Sequence, residues 1–282
     1  MEKRILSIQD ISCVGQCSLT VALPIISAAG IETSILPSAV LSTHTAGDFK
    51  GFTFRDLTED LPAINAHWNK IGIKFDAIYT GYIGSKEQID YILNIISSTL
   101  KDGAPFICDP AMGDNGKLYV GFDRDFASYM AKLCAKADII LPNLTEAAYL
   151  LGEECKLSGY DKDYVEGIVR RLAKLGAKVV ILTGVSFNEK ELGICVYDST
   201  LDQTTYYIHE KIGQSFHGTG DVFSSSFVGA VLNGKSYLEA AKIAADFTKQ
   251  SIALTIDDKD EHWYGVEFEK AIPQYLKLLG KI

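Results

Sequence analysis

Gly218-Thr219-Gly220-Asp221 stands immediately before an apolar run with helical spacing. Two glycines let the backbone approach a ligand, and free amides at a helix N-terminus form a ready anion site. A carboxylate beside bound phosphate is out of place unless it does chemistry. Asp221 could take a proton from a hydroxyl as that hydroxyl attacks a γ-phosphate. The plain alternative is that Asp221 favours the helix start through the macrodipole. The residues alone leave both open.

Phosphoryl transfer also needs a metal to neutralise developing charge, and such a metal wants oxygen ligands. Asp109, Asp114, Asn143 and Glu146 are the candidates, being the carboxylates and amide closest to the crevice expected at the carboxyl ends of the strands. Pro142-Asn-Leu-Thr-Glu146 ends a strand and begins a helix, which aims Asn143 and Glu146 the same way. The plain alternative for Thr145 and Glu146 is an ordinary helix N-terminus. The histidines at 44, 67, 209, 217 and 262 show no metal-ligand spacing.

A second glycine motif misleads. Gly229-Ala-Val-Leu-Asn-Gly234-Lys235-Ser236 matches the phosphate-loop pattern in full. That loop needs a strand before it and a helix after it. Here the preceding residues are helical in spacing, Asn233-Gly234 fits a helix C-terminus, and Ser236-Tyr-Leu-Glu239 fits a capping box. The match falls at a junction between two helices.

The elements that must position these residues alternate. Strand-like runs lie at Arg4–Gln9, Thr33–Leu36, Phe75–Tyr79, Pro105–Cys108, Asp138–Leu141 and Lys178–Thr183. Helical patterns lie at Leu19–Ala29, Glu87–Thr99, Arg124–Lys136 and Tyr164–Leu175. Alternation of this kind predicts βαβ units, with a parallel sheet covered on both faces. Leu192–Tyr197 and Thr204–His209 then read as an antiparallel hairpin, followed by helices at Asp221–Leu232, Tyr237–Ile252 and Phe268–Leu279. Asp10, Tyr82, Asp109-Pro110, Pro142-Asn143 and Thr183-Gly184 each follow a predicted strand. In open α/β sheets ligands bind outside the carboxyl ends of the strands. As a set, these five placements predict a site.

Composition sets the limits. The 282 residues carry 27 Lys+Arg against 36 Asp+Glu, a net charge of −9, with 47% hydrophobic residues. A chain of that make-up buries a large core, and one domain over residues 1–282 is the simpler organisation. Its acidic balance excludes a generic nucleic-acid binder, whose footprint is a basic face. Six scattered cysteines without a C-x-x-C pair predict reduced thiols in the cytoplasm. Ile11–Ile31 carries no charge for 21 positions, but Ser, Thr, Gln, Gly and Pro interrupt it, so it reads as a buried loop and helix instead of a membrane span.

Gly218-Thr-Gly-Asp221, Asp109-Pro-Ala-Met-Gly113, Pro142-Asn-Leu-Thr-Glu146 and Ser42-Thr-His-Thr45 together resemble the vitamin kinases of the ribokinase-like superfamily. Gly81-Tyr-Ile-Gly-Ser85 and Ile5-Leu-Ser-Ile-Gln9 are similar to the pyridoxal kinase branch, which phosphorylates vitamin B6. The resemblance implies a three-layer ribokinase-like α/β fold, with a mostly parallel central sheet and helices on both faces. It implies Asp221 as the base for the 5′-hydroxyl and Gly218, Thr219 and Gly220 as the anion hole. Asp109, Asn143 and Glu146 would serve the ATP–magnesium end, with Asp109 and Glu146 on the metal; Thr183, Gly184 and Thr219 would hold ATP. Asp10, Thr45, Tyr82 and Asp221 would contact the vitamer, Tyr82 by stacking. A homodimer, Mg²⁺ and activation by K⁺ are also implied.

One departure bears on substrate choice. The family usually has serine where this chain has Asp10, and a carboxylate there accepts only, so it could pair with a protonated ring nitrogen. Two rival readings share the same residues: a hydroxymethylpyrimidine kinase, with another ring pocket, and a B6-binding pseudokinase. The second predicts loss of the base or the anion hole, and both are present.

Overall fold

In the computed structural model, which describes residues 3–45, 47–213, 216–258 and 261–282, the alternation resolves into strands and helices in chain order. They are β1 (Arg4–Ser12), α1 (Leu19–Ala28), β2 (Glu32–Leu41), β3 (Phe54–Asp56), α2 (Leu61–Ile71), β4 (Ala77–Thr80), α3 (Lys86–Thr99) and β5 (Phe106–Cys108). Then come β6 (Gly113–Asp114), β7 (Lys117–Leu118), α4 (Arg124–Cys134), β8 (Ile139–Ile140), α5 (Leu144–Leu151), α6 (Lys162–Ala173) and β9 (Val179–Val185). The chain ends with β10 (Glu191–Asp198), β11 (Gln203–Glu210), α7 (Thr219–Leu232), α8 (Tyr237–Thr255) and α9 (Phe268–Leu279). This is the expected α/β class with a mostly parallel sheet.

Two compact units form, Met1–Lys70 with Ile212–Ile282, and Ile71–Lys211. In the first, β1 pairs parallel with β2, and β3 adds antiparallel to β2. Ile5, Leu6 and Ile8 of β1 are wholly buried, as a strand covered on both faces requires. Helices α1, α7, α8 and α9 belong to this unit, and Gly229 of α7 marks a close approach. A side chain there would meet the Tyr275 hydroxyl and Ala29. The Tyr275 hydroxyl donates to the Ser226 carbonyl at 2.9 Å.

In the second unit the order is β11-β10-β9-β8-β5-β4. Pairings β4–β5, β5–β8 and β8–β9 are parallel, and the expected hairpin, β10–β11, is antiparallel. Helix α3 buries Ile89, Ile92, Ile95 and Ile96 on one stripe, each contributing roughly 1.5–3 kcal/mol. Ser85, Asp123 and Asp161 cap α3, α4 and α6 by accepting backbone N–H bonds.

Several boundaries differ from expectation for physical reasons. Strand β1 continues to Ser12, so Asp10 lies inside the strand and not after it; there the register against β2 slips between Gln9 and Ile11. Strand β2 carries Pro37, which reads as a stop, opposite Gln9. Strand β3 and helix α2 are additional to the expected elements: β3 is three residues long and exposed throughout, and α2 buries only Leu61. Ile11–Ile31 divides between the end of β1, a turn and α1. No helix among the described residues is long and apolar enough to cross a membrane.

The phosphate-loop match falls where the helical reading put it. Gly229 is inside α7, Gly234 has φ 83° just past its end, and Ser236 caps α8 in a reciprocal capping box with Glu239.

Candidate active site

In the first unit, Gly218 is the N-cap of α7 in the left-handed conformation (φ 74°), a residue with no side chain of its own to cap that end. A Cβ at 218 would be driven into the Gln16 carbonyl, so this position is glycine for space as well as for φ. Gly220 meets nothing within 4 Å of its would-be Cβ. The two glycines are therefore different in kind: one lets the turn pack, the other leaves open space. Thr219 is half-buried, its hydroxyl donating to the Phe216 carbonyl at 3.2 Å. Asp221 lies in the first turn of α7, half-buried.

Asp10 is 4% exposed and accepts from the Ser12 hydroxyl at 3.0 Å and from the Ser18 hydroxyl. Burial raises its carboxyl above the ordinary value, and those hydrogen bonds oppose the shift without cancelling it. Ser18 sits at the N-cap of α1 with φ 54°, a region that non-glycine residues rarely adopt, and its hydroxyl makes no cap bond. Its side chain serves Asp10 instead of its own helix. Cys17 is close enough to both carboxylates to feel their charge. Burial and the charges of Asp221 and Asp10 push its thiol far above the ordinary range. The fold thus brings together Asp10 and Asp221, which lie 211 positions apart in the sequence. Thr45 is exposed.

In the second unit, parallel neighbours set the candidates in a row. Asp109 directly follows β5, its N–H donating to the Thr80 carbonyl at 2.8 Å; Asn143 follows β8 and forms a parallel bridge with Thr183. Asp109 and Glu146 are 7% and 3% exposed. Burial and the charge of Asp109 hold the Glu146 carboxyl well above its usual range, although backbone N–H donors from Asn143, Met112 and Gly113 pull it down.

Asn143 and Glu146 also build the helix start. The Asn143 side chain accepts from the Glu146 N–H at 2.9 Å, and the Asn143 N–H donates to Glu146 Oε2 at 2.8 Å, closing a capping box. Glu146 Oε1 accepts from the Met112 N–H at 3.2 Å, and Asn143 Nδ2 donates to the Gly113 carbonyl at 2.9 Å. The Thr145 hydroxyl accepts from the Gly116 N–H at 2.9 Å. These bonds fasten the 112–116 segment to the N-terminus of α5. Asp114 ends β6 at a tight hairpin: it is exposed, and its carboxylate accepts from the backbone and side chain of Asn115.

Thr183 and Gly184 lie within β9, which runs on to Val185. The register against β10 slips there, from Leu182↔Cys195 to Val185↔Gly193. Gly184 has φ 73° and open space around it, so conformation alone demands glycine. Tyr82 is half-buried and stacks on Phe122 at 5.4 Å between centroids. Ser12, Cys17, Ser18 and Met112 were not among the residues singled out from the sequence. The Asp10-x-Ser12 spacing along one strand face was the available signal for Ser12; the others join the site through contacts distant in sequence.

Residues 40–264 match the model of the phosphomethylpyrimidine kinase family. A pyridoxal kinase of Dictyostelium discoideum is 32% identical over 247 residues, covering 81% of this chain and 78% of that protein. The chain belongs to the pyridoxal kinase family. A pyridoxal kinase of Arabidopsis thaliana is 29% identical over 272 residues, covering 90% and 83%. Among solved structures, a Bacteroides thetaiotaomicron protein named as a phosphomethylpyrimidine kinase and crystallised with pyridoxal is 35% identical, with a TM-score of 0.92 over 98% of this chain and 96% of that one. The pyridoxal kinase of Lactobacillus plantarum is 30% identical, with a TM-score of 0.89 over 98% and 97%. The family is the one that Gly81–Ser85 and Ile5–Gln9 resemble, and it shares the ribokinase-like fold that the Gly218–Asp221 and Asp109–Gly113 motifs imply.

Proposed function

We propose that the chain transfers the γ-phosphoryl group of ATP to the 5′-hydroxyl of a vitamin B6 vitamer (pyridoxal, pyridoxine or pyridoxamine), with Asp221 as general base. One observation carries the reading. A carboxylate in the first turn of α7, behind a left-handed glycine N-cap, shares its surroundings with a second, buried carboxylate at Asp10. An anion site flanked by carboxylates suits a reaction that removes a proton as phosphate arrives.

In this reading Asp221 accepts the hydroxyl proton, and the backbone of Gly218, Thr219 and Gly220 holds the transferring group. Asp10, Thr45 and Tyr82 hold the ring; a carboxylate at Asp10 accepts from a protonated ring nitrogen, which ties vitamer choice to this residue. Thr183, Gly184, Asn143 and Thr219 serve the nucleotide. Asp109 and Glu146 would hold Mg²⁺. Their oxygens suit a hard cation, and two buried carboxylates that disfavour each other's charge are relieved by one. When bound there, Mg²⁺ supplies charge neutralisation for the phosphates. The transfer is in line, with no covalent enzyme intermediate.

The reading extends to residues 1–282 acting as one kinase domain, to activation by K⁺, to a cytoplasmic setting and to a homodimer. Six free cysteines support the cytoplasmic setting. For the homodimer the support is the sparse burial of β3 and α2. Light scattering tests the dimer.

Turnover with ATP–Mg²⁺ on pyridoxal, pyridoxine, pyridoxamine and hydroxymethylpyrimidine, each in K⁺ and in Na⁺, tests the function. Preference for a B6 vitamer is the expected result. Preference for the pyrimidine would move the protein to the rival kinase reading with the same catalytic residues, and binding without turnover would make it a pseudokinase.

A further inference from the structure

A group of rings in the first unit joins His44, of the Ser42–Thr45 motif, to residues outside the motifs, Phe49, His217, Trp263 and Tyr264. The Phe49 and Trp263 centroids are 4.6 Å apart, His44 lies 4.9 Å from Phe49 and 5.5 Å from His217, and Trp263 lies 6.5 Å from His44. His44 Nε2–H donates to the Tyr264 carbonyl at 2.8 Å. A Cβ on Gly47 would fall 2.7 Å from Trp263 Cζ3 and 3.6 Å from His217 Nε2. Gly47, with φ 66°, therefore lies flat against the indole.

These contacts join two places that matter for the alcohol substrate. Residues 42–45 and 47–53 carry Thr45, and their ends are tied together by Ser42 N–H to the Thr53 carbonyl at 3.2 Å and Thr53 N–H to the Ser42 hydroxyl at 2.8 Å. His217 directly precedes Gly218. On its other side the segment around Trp263 is anchored by Gly265. A side chain at 265 would strike Gln16, whose carbonyl packs on Gly218 and whose amide donates to Glu269 at 2.9 Å. A cluster that served only as core would be fully buried. Here Phe49, Trp263 and Tyr264 are half-buried and His217 is exposed.

We propose that Trp263 is a positioning residue for the alcohol substrate: through Gly47 and Phe49 it fixes the stretch carrying Thr45, and through His44 and His217 it holds that stretch in register with the turn at Gly218. This assignment rests on the kinase reading above. It concerns the acceptor side alone. Loss of the indole should therefore weaken use of the vitamer while leaving the nucleotide unaffected, because the rings pack on the segment that carries Thr45.

Steady-state kinetics with pyridoxal and ATP–Mg²⁺ varied separately test it, on wild type, Trp263→Ala, Trp263→Phe and Gly47→Ala. Misplacing a substrate-bearing segment is expected to raise KM for pyridoxal about tenfold or more in Trp263→Ala, with KM for ATP within about twofold. Trp263→Phe, which keeps a ring against Phe49, should recover most of the loss. Gly47→Ala, which places a methyl against the indole from the other side, should reproduce the same split should Trp263→Ala fail to fold. Wild-type turnover with no split, or KM for both substrates rising together, would overturn the assignment alone. Absence of wild-type turnover on pyridoxal would overturn the kinase reading and this assignment with it.

Discussion

The backbone carbonyl of Gln16 fills the space that a side chain on residue 218 would need. This links the turn before α1 to the turn that opens α7, and it separates the two glycines of Gly218-Thr-Gly220. Gly218→Ala meets both a left-handed φ and the Gln16 carbonyl, so it is expected to cost more than about 2 kcal/mol or to prevent folding. Gly220→Ala, in open space, should unfold at the wild-type midpoint or above, by up to about 1 kcal/mol. Urea denaturation distinguishes them; equal losses would contradict the packing account.

Asp221→Asn keeps the size and position of the side chain and removes its basicity. Turnover is expected to fall roughly 10²–10⁴-fold, with the dissociation constant for ATP within a few-fold. Rapid-quench kinetics and nucleotide titration measure the two quantities. Turnover within a few-fold of wild type would remove Asp221 from the base role.

Burial holds the Asp10 carboxyl above its ordinary pKa. Between the unfolded value and the raised native one, the folded chain binds that proton more tightly than the unfolded chain does. Stability therefore falls as pH rises through this window and is recovered below it. Asp10→Asn removes the buried charge, so its Tm should exceed that of wild type at pH 7, with the gap closing as pH approaches about 4. Calorimetry across that range checks the sign. Asp10→Ser should at the same time alter relative use of pyridoxal, pyridoxine and pyridoxamine; unchanged ratios would detach Asp10 from the ring.

Glu146→Gln removes one of two facing buried carboxylates. The Mg²⁺ concentration at half-maximal rate is expected to rise by about 10-fold or more. An unchanged Mg²⁺ dependence would confine Glu146 to its capping box with Asn143.

Lys235 ends the false phosphate loop, and its N–H donates to the Ala230 carbonyl at 3.2 Å in the turn after α7. Lys235→Ala should leave turnover and KM for ATP within about twofold, as for a surface change. A large rise in KM for ATP would mean that the helix junction binds nucleotide after all.

Much of this architecture is legible in the chain because the information is local. Helix α9 begins and ends at the residues its apolar spacing marks, and the Ser236–Glu239 box is visible as four adjacent residues. Three features resist such reading. Helix α2 sets Leu61, Ile64, Trp68 and Ile71 at helical spacing yet buries only Leu61, so its apolar period does not mark a core face. Asp10 reads as a turn residue beyond its strand because of its polarity, whereas Ser12 and Ser18 supply the hydrogen bonds that let it stay buried. The nearness of Asp10 to Asp221, and of Glu146 to Met112, is set by packing between segments distant in sequence, which no local pattern records.

The central claim is that the 5′-hydroxyl of a B6 vitamer receives the phosphoryl group with Asp221 as base. The most direct measurement is mass-spectrometric detection of product from ATP–Mg²⁺ and pyridoxal, with wild type and Asp221→Asn run side by side. The account predicts one phosphate added at the 5′-oxygen by wild type and little or none by Asp221→Asn. Equal product from both proteins, or product from hydroxymethylpyrimidine and none from pyridoxal, would contradict it.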